Sequence, residues 1–196
     1  MQSRRRSLAE HPPAALGRPP LQNFENADIL PWIANWLKST FRTDIESIVV
    51  PADQKHPFPA YPSEGELGLY DVRPLMAPDG SIRIALAGDW GAGTDIANQV
   101  AQSMMSTNPE LTIHLGDIYY VGTDEEVLEN CLGQDTLQYQ GVTWPVGSKG
   151  SFALNGNHEM YSGGHGYFEK FSPKLGIPAS QDRSQLTSYF CLDSPG

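Results

Sequence analysis

The sequence is poor in positive charge. Lys and Arg together number 13 against 23 Asp and Glu, which gives a formal net charge of −10 at pH 7. The first 24 residues hold four Arg and one Glu, so the acidic excess lies in the rest of the chain. Because phosphate backbones are bound through clustered cations, this charge pattern argues against non-specific nucleic-acid binding.

Long apolar stretches are also missing. No run approaches the roughly 18 apolar residues that identify a membrane-spanning helix. Arg4, Arg5 and Arg6 resemble the charged start of a secretory signal, but prolines and polar residues follow where the apolar region would be. The sequence therefore predicts a cytoplasmic protein that neither crosses nor binds a membrane.

Cysteine is scarce as well. Cys131 lies in a predicted helix and Cys191 in a predicted strand, and these two are all the cysteines of the chain. Such an isolated pair supports neither a disulfide scaffold nor a zinc knuckle. Both are predicted to be buried thiols.

Three common motifs for nucleotide binding and acyl transfer are incomplete or absent. The run GAGTDI at 91–96 lacks the third glycine of the dinucleotide-binding fingerprint. No Gly-Lys-Ser/Thr completes a phosphate-binding loop, and no Gly-x-Ser-x-Gly marks a serine nucleophile. These absences argue against a dinucleotide-binding protein, a P-loop enzyme and a serine hydrolase.

The chain divides into three parts by composition. Residues 1–24 are rich in proline and arginine and poor in apolar side chains, which predicts a disordered arm. Residues 25–65 combine apolar positions at helical spacing over 27–41 with a proline-rich stretch, which predicts a packing helix and a linker. Residues 66–196 have the texture of a folded domain.

In that domain, short apolar runs alternate with helical stretches. The runs at 66–72 and 81–87 flank a Pro-Asp-Gly turn signal and predict a hairpin. Thr94 is a predicted N-cap of one helix, and Thr123 with Glu126 predicts a capping box for a second. Further strands are predicted at 111–115, 151–154 and 187–192, and the apolar face of the first helix is predicted to hold Ile96, Val100, Ala101 and Met104. Alternation of this kind predicts an α/β domain with a largely parallel sheet.

Three predicted strands end in a glycine followed by an oxygen-bearing side chain. These side chains belong to Asp89, Asp117 and Asn157. A glycine permits a sharp turn, so the side chain after it can project into the crevice where open α/β folds bind their ligands. The sequence therefore predicts a functional site at this edge of the sheet.

The same three strand ends carry a family resemblance. GDWG at 88–91, GDIYY at 116–120 and GNHE at 156–159 resemble the first three metal-binding motifs of the calcineurin-like metallophosphoesterases. The tyrosine three residues after Asp117 resembles the second motif of the purple acid phosphatase branch. The first motif departs from many branches, since no histidine stands two residues after Asp89.

The resemblance implies a role for each matching residue. Asp89 and Tyr120 would be ligands of one metal, Asp117 would bridge two metals, and Asn157 would be a ligand of the second. His158 would contact the substrate phosphate or donate a proton to the leaving group. A phenolate ligand favours Fe(III), with Fe(II), Zn or Mn at the second position.

The resemblance also implies a fold and an activity. The fold would be part of a four-layer α/β/β/α sandwich with a mostly parallel mixed sheet. The activity would be the hydrolysis of small phosphate mono- or diesters, with a hydroxide held by the metal pair as the nucleophile. Charge neutralisation by the two metals would supply most of the acceleration.

Two further histidines have weaker claims. His114 lies inside a predicted strand, where a buried hydrogen-bonded histidine is favoured over a direct metal ligand, and a partner that orients a metal ligand is the intermediate interpretation. His165 follows GNHE in a glycine-rich run, where a solvated loop is favoured over a residue at the site entrance.

No histidine follows His165, although the family completes its metal site with later histidines. The chain therefore reads as the N-terminal half of a metallophosphoesterase domain, truncated after its first half. Its missing ligands would come from a C-terminal complement or from self-association. The alternative is a catalytically incomplete fragment that acts, if at all, as an interaction module.

Overall fold

The computed structural model describes Ile33, Leu37 and residues 68–137, 139–177 and 183–194. The predicted arm at 1–24 lies outside the described residues, as does almost all of the predicted helix and linker at 25–65. Ile33 and Leu37 are helical and exposed. The helix predicted around them stays a prediction.

Short strands and helices alternate through the described part of the chain. The strands are β1 Leu69–Asp71, β2 Ile84–Ala87, β3 Leu111–His114, β4 Gly150–Ala153, β5 Gly176–Ile177, β6 Arg183–Ser184 and β7 Cys191–Asp193. The α-helices are α1 Asp95–Ser106, α2 Asp124–Asn130 and the single turn α3 Asn157–Met160, and a π-helix spans Gly166–Phe171. None of the helices described is long and apolar enough to cross a membrane.

The main sheet has the order β2-β3-β4-β5-β6. Its first three strands are parallel, with Ile84 opposite Leu111 and Leu111 opposite Gly150. The pairs β4–β5 and β5–β6 are antiparallel. The fold is therefore α/β with a mixed sheet, as predicted, and the carboxyl ends of its parallel strands meet at one edge. The four-layer sandwich and the truncation stay predictions.

A second sheet covers part of the first. It consists of β1 and β7 in parallel. The Tyr70 and Phe152 rings meet edge to face at 4.7 Å between centroids, and Phe190 stacks on Phe152 at 4.6 Å. Aromatic burial of this kind joins the two sheets.

The predicted hairpin between 66–72 and 81–87 is wrong. The turn itself is present, since Ala77 N donates to Ser81 O and Gly80 N donates to Ala77 O. The strands on its two sides belong to different sheets, because β1 pairs with β7 and Tyr70 packs against Phe152 across the sheet face.

Two apolar cores lie on the two faces of the main sheet. The core under the helices contains Trp90, Ala97, Ala101, Met104, Ile118, Val127, Trp144, Tyr167 and Phe171. The core between the sheets contains Tyr70, Val72, Leu75, Leu111, Ile113, Phe152 and Ile177. Each face of β3 therefore packs against a different layer.

Two of the four residues predicted for the apolar face of α1 are buried, and two are exposed. Ala101 and Met104 are buried, but Ile96 is 57% exposed and Val100 is also exposed. Ala97 takes the inner position because the indole N–H of Trp90 donates to its carbonyl and fixes the rotation of the first turn. The buried stripe therefore begins one residue later than the sequence pattern indicated.

Local signals at the helix starts are confirmed. Thr94 accepts a hydrogen bond from Ala97 N, and Thr123 forms the predicted capping box with Glu126. Cys131 is buried at the end of α2, as predicted, but the prediction that Cys191 is buried is wrong. Side chains alternate along β7, and Leu192 takes the inward position, so Cys191 points outward.

Candidate functional site

The three predicted strand ends lie side by side. Asp89 follows β2, Asp117 follows β3 and Asn157 begins α3 after β4. Asp89 N donates to Gly116 O at 3.0 Å, which joins the first end to the second. His158 N donates to Asp117 Oδ1 at 3.1 Å, which joins the second to the third. Parallel register brings the residues of all three motifs to one edge of the sheet.

Both aspartates have left-handed backbone conformations. The φ angle is 53° at Asp89 and 69° at Asp117. A non-glycine residue pays roughly 1–2 kcal/mol for this conformation, and such residues concentrate at functional sites. Gly116 between them has a φ of 98°, and a Cβ there would lie 2.8 Å from the Asn155 carbonyl carbon. Glycine is therefore required where the two turns meet.

Buried side chains accept hydrogen bonds from the backbone N–H groups of the two residues next to Asp117. Gly116 N donates to His114 Nδ1 at 3.0 Å, and Ile118 N donates to Glu159 Oε1 at 3.0 Å. The side chains of His114 and Glu159 are both inaccessible to solvent. Asp117 is thus fixed by its neighbours as well as by its own contact with the third motif.

Glu159 joins the second motif to the third. Its Oε1 accepts from Ile118 N, and its Oε2 accepts from Gly156 N at 2.9 Å. Burial raises the pKa of Glu159 to about 7, the hydrogen bonds from the backbone oppose this, and the charge of Asp117 adds to it. Glu159 is therefore a structural hydrogen-bonding partner of the two motifs.

Tyr119 is a site residue that the sequence did not single out. Its hydroxyl donates to Asp89 Oδ1, and its ring centroid lies 4.5 Å from that of His158. Burial, followed by the hydrogen bond to Asp89, raises the pKa of Tyr119 above its usual range. No local signal in the sequence shows which way this loop side chain turns.

Tyr120 contributes its backbone to the site. Its N–H donates to Glu126 Oε1 at 2.6 Å, and its carbonyl lies 2.6 Å from His158 Nδ1. A carbonyl only accepts, so Nδ1 of His158 carries a proton. In the neutral ring the nitrogen without a proton is then Nε2.

Asn157 and His158 lie beside a further tyrosine. Asn157 Nδ2 donates to the Tyr161 hydroxyl at 3.1 Å. The His158 and Tyr161 ring centroids are 5.3 Å apart, and Tyr161 is half exposed. The third motif therefore presents an amide, an imidazole and a phenol near the surface.

The two remaining histidines differ from each other. His114 is buried and hydrogen-bonded, which confirms the favoured interpretation, and burial lowers its pKa to about 3. His165 is half-buried at the helical turn before the π-helix, and its Nδ1 lies 2.9 Å from Glu169 Oε1. The prediction of a solvated loop at His165 is therefore wrong, because the GGHGY run continues into a helix.

The donor types at the strand ends suit a hard cation. Within the part of the chain that the structure describes, no three side chains among His, Cys, Asp and Glu form a group that could hold a metal ion. The strand ends offer two carboxylates instead, Asp89 and Asp117, with the Asn157 amide and the phenols of Tyr119 and Tyr120 nearby along the chain. Oxygen donors of these kinds are preferred by hard cations. By chemistry the set fits part of a metal site.

Comparison with known proteins gives one distant likeness. Over 154 residues the chain is 27% identical to purple acid phosphatase 23 of Arabidopsis thaliana, and the match covers 69% of this chain. The chain spans 33% of the length of that relative. No protein-family model and no solved structure matches the chain. The likeness hints at the metallophosphoesterase superfamily, to which the three motifs also point.

Proposed function

We propose that this chain carries part of the active site of a metal-dependent phosphoesterase that hydrolyses small phosphate mono- or diesters. The observation that carries the proposal is the meeting of Asp89, Asp117 and His158 at one sheet edge, each on the motif that the family resemblance assigns to it. The similarity to a purple acid phosphatase supports the same reaction class.

The proposed roles follow the donor types. Asp89 and Tyr120 would hold one metal ion, Asp117 would be a ligand shared by both ions, and Asn157 would hold the second. When bound, such a pair of ions, Fe(III) with Fe(II), Zn or Mn, neutralises phosphate charge and lowers the pKa of a coordinated water. The ligands missing from the second position come from residues outside the described part, from a complementing segment or from a second copy.

His158 is the residue that we propose contacts the substrate. The hydrogen bond from Nδ1 to the Tyr120 carbonyl fixes the ring and leaves Nε2 for the substrate. The protonated ring then contacts a phosphate oxygen or donates its Nε2 proton to the leaving group. Tyr119, which touches Asp89 and packs on His158, keeps these two groups in register.

Hydrolysis of p-nitrophenyl phosphate by the purified chain, supplied with Fe(III) and Zn, tests the proposal. We expect metal-dependent release of p-nitrophenol that Asp117→Asn abolishes and His158→Ala lowers by about 10²-fold or more. Asp79→Asn is the matched control, since Asp79 lies in an exposed turn away from the strand ends and its side chain accepts from Ser81 N and Ser81 Oγ. Metal-dependent hydrolysis that Asp117→Asn leaves unchanged would contradict the proposal.

A second candidate function is association through an uncovered sheet face. On β2, Ile84 is 39% exposed and Leu86 is 56% exposed, and Leu115 after β3 is exposed beside them. Apolar side chains grouped at a sheet edge are typical of interaction surfaces. A chain that forms stable dimers but binds no metal would favour this interaction module over the enzyme.

A further inference from the structure

One buried imidazole is connected through a single residue to both strand-end aspartates. His114 Nδ1 lies 3.0 Å from Gly116 N. The carbonyl of the same glycine accepts a hydrogen bond from Asp89 N at 3.0 Å. Gly116 also precedes Asp117 directly in the chain. The backbone of Gly116 therefore links His114 to the conformation of both aspartates.

The direction of the His114 hydrogen bond fixes the state of the ring. A backbone N–H only donates, so Nδ1 of His114 accepts and carries no proton. The proton of the neutral ring is then on Nε2. This nitrogen is buried and has no hydrogen-bond partner among the residues that the structure describes. Only one tautomer of the neutral imidazole is compatible with the Gly116 contact.

The position of the ring is set by aromatic packing. The Trp144 centroid lies 4.7 Å from that of His114, Phe171 lies at 5.6 Å and Trp90 at 6.3 Å, all at steep interplanar angles. A ring packed in this way cannot turn without displacing its neighbours. The acceptor at Nδ1 is therefore held at a fixed place relative to the sheet.

The turns that Gly116 connects need such support. Asp89, Gly116 and Asp117 have φ angles of 53°, 98° and 69°. Backbone of this kind persists where the surrounding structure holds it. Glu159 holds the peptide between Asp117 and Ile118 through Ile118 N, and His114 holds the peptide between Leu115 and Gly116 through Gly116 N.

We infer that His114 is a positioning residue that fixes Asp89 and Asp117 through the backbone of Gly116. It is neither a metal ligand nor a side chain that merely fills the core. The inference rests on the proposed function only for the purpose of the two carboxylates, since the contacts that carry it involve no metal. Loss of the acceptor frees the Gly116 N–H, whereas an amide oxygen in the same place keeps this N–H hydrogen-bonded.

Amide hydrogen exchange on the metal-free protein tests the inference. His114→Leu keeps an apolar side chain in the core and removes the acceptor, whereas His114→Asn places an amide oxygen near the position of Nδ1. We expect His114→Leu to speed the exchange of the Gly116 and Asp89 amides at least tenfold, with the amides of α1 unchanged. His114→Asn should return both rates to within about threefold of the wild type. The inference is overturned if His114→Leu changes neither amide, or if all amides change equally.

A second measurement decides the matter even if His114→Leu does not fold. The long-range ¹H–¹⁵N correlation spectrum of the wild type shows which imidazole nitrogen carries the proton. A proton on Nε2 with a bare Nδ1 supports the inference, and a protonated Nδ1 overturns it.

Titration of the same proteins with Mn²⁺ separates this inference from the proposed function. Residues that orient metal ligands typically contribute 10- to 100-fold to metal affinity, so His114→Leu should weaken Mn²⁺ binding by that factor and His114→Asn should restore it. A wild-type protein that binds no Mn²⁺ but shows the expected amide pattern contradicts the proposed function and supports the positioning role.

Discussion

At the scale of single residues, the candidate site depends on backbone amides that are held by side chains from other motifs. Asp117 accepts from His158 N, and Glu159 accepts from Ile118 N and Gly156 N. These bonds connect two loops that a local sequence pattern treats separately. The positions of the carboxylates at the sheet edge therefore depend on these buried groups.

The two adjacent tyrosines give a prediction at this scale. If Tyr120 is the phenolate ligand of Fe(III), Tyr120→Phe removes the visible absorption of the iron-loaded protein. Tyr119→Phe is the matched control, because Tyr119 donates to Asp89 Oδ1 and should shift the band without abolishing it. The measurement is the visible spectrum after loading with Fe(III). Bleaching by Tyr119→Phe and not by Tyr120→Phe would exchange the two assignments.

Some site residues can be predicted from the sequence and others cannot. The position of three side chains at one sheet edge could be predicted, namely Asp89, Asp117 and Asn157. Each follows a glycine at the end of an apolar run, and parallel strands end at a common edge. Tyr119 could not be predicted, because the direction of its side chain depends on contacts with Asp89 and His158 that are distant in sequence.

At the scale of elements, α2 does more than pack. The Glu126 carboxylate closes the capping box with Thr123 and also accepts from Tyr120 N and Val121 N. The Tyr120 carbonyl in turn accepts a hydrogen bond from His158 Nδ1. The start of this short helix therefore supports the loop that carries the second motif.

The capping box yields a pair of stability predictions. Thr123→Ala removes one acceptor from the helix start and should lower the free energy of unfolding by about 1 kcal/mol. Glu126→Ala leaves three backbone N–H groups without their acceptor, each worth roughly 1 kcal/mol, and should cost about 2–4 kcal/mol. Urea unfolding of both variants measures the difference, with Thr94→Ala at the start of α1 as the control cap. Equal costs for Thr123→Ala and Glu126→Ala would refute the additional role of Glu126.

Helix starts could be predicted because their sequence signals are local. Thr94 and Thr123 identified their helix starts because capping is a contact over three residues. The pairing of β1 with β7 was not predictable, since Leu69 meets Cys191 across most of the domain. The rotation of α1 was missed for a similar reason, because a contact from Trp90 decides it.

At the scale of the whole molecule, two buried groups, His114 and Glu159, make the free energy of unfolding depend on pH in opposite directions. Burial lowers the pKa of His114 from its ordinary 6.5 to about 3, and it raises the pKa of Glu159 from 4.5 to about 7. The unfolded chain therefore binds a proton at His114 more tightly than the fold does, whereas at Glu159 the fold binds it more tightly. Between pH 4.5 and 6.5 the two contributions have opposite slopes.

A comparison with His114→Asn isolates the imidazole. The His114 contribution to the free energy of unfolding is complete above pH 6.5 and is lost as the pH falls, by about 2 kcal/mol at pH 5. The wild type should therefore lose about that much stability relative to His114→Asn between pH 7 and pH 5, since Glu159 is common to both. Urea unfolding across this range provides the measurement, and parallel pH profiles for the two proteins would disprove the assignment.

Metal binding by the purified chain, compared with that of Asp117→Asn, tests whether the strand-end carboxylates hold a metal. We expect the wild type to retain Mn²⁺ or Fe(III) after exhaustive buffer exchange, as measured by elemental analysis, and Asp117→Asn to retain none because Asp117 is the shared ligand. Equal metal content in the two proteins, or no retained metal in the wild type, would contradict the assignment of Asp89 and Asp117 as metal-binding carboxylates.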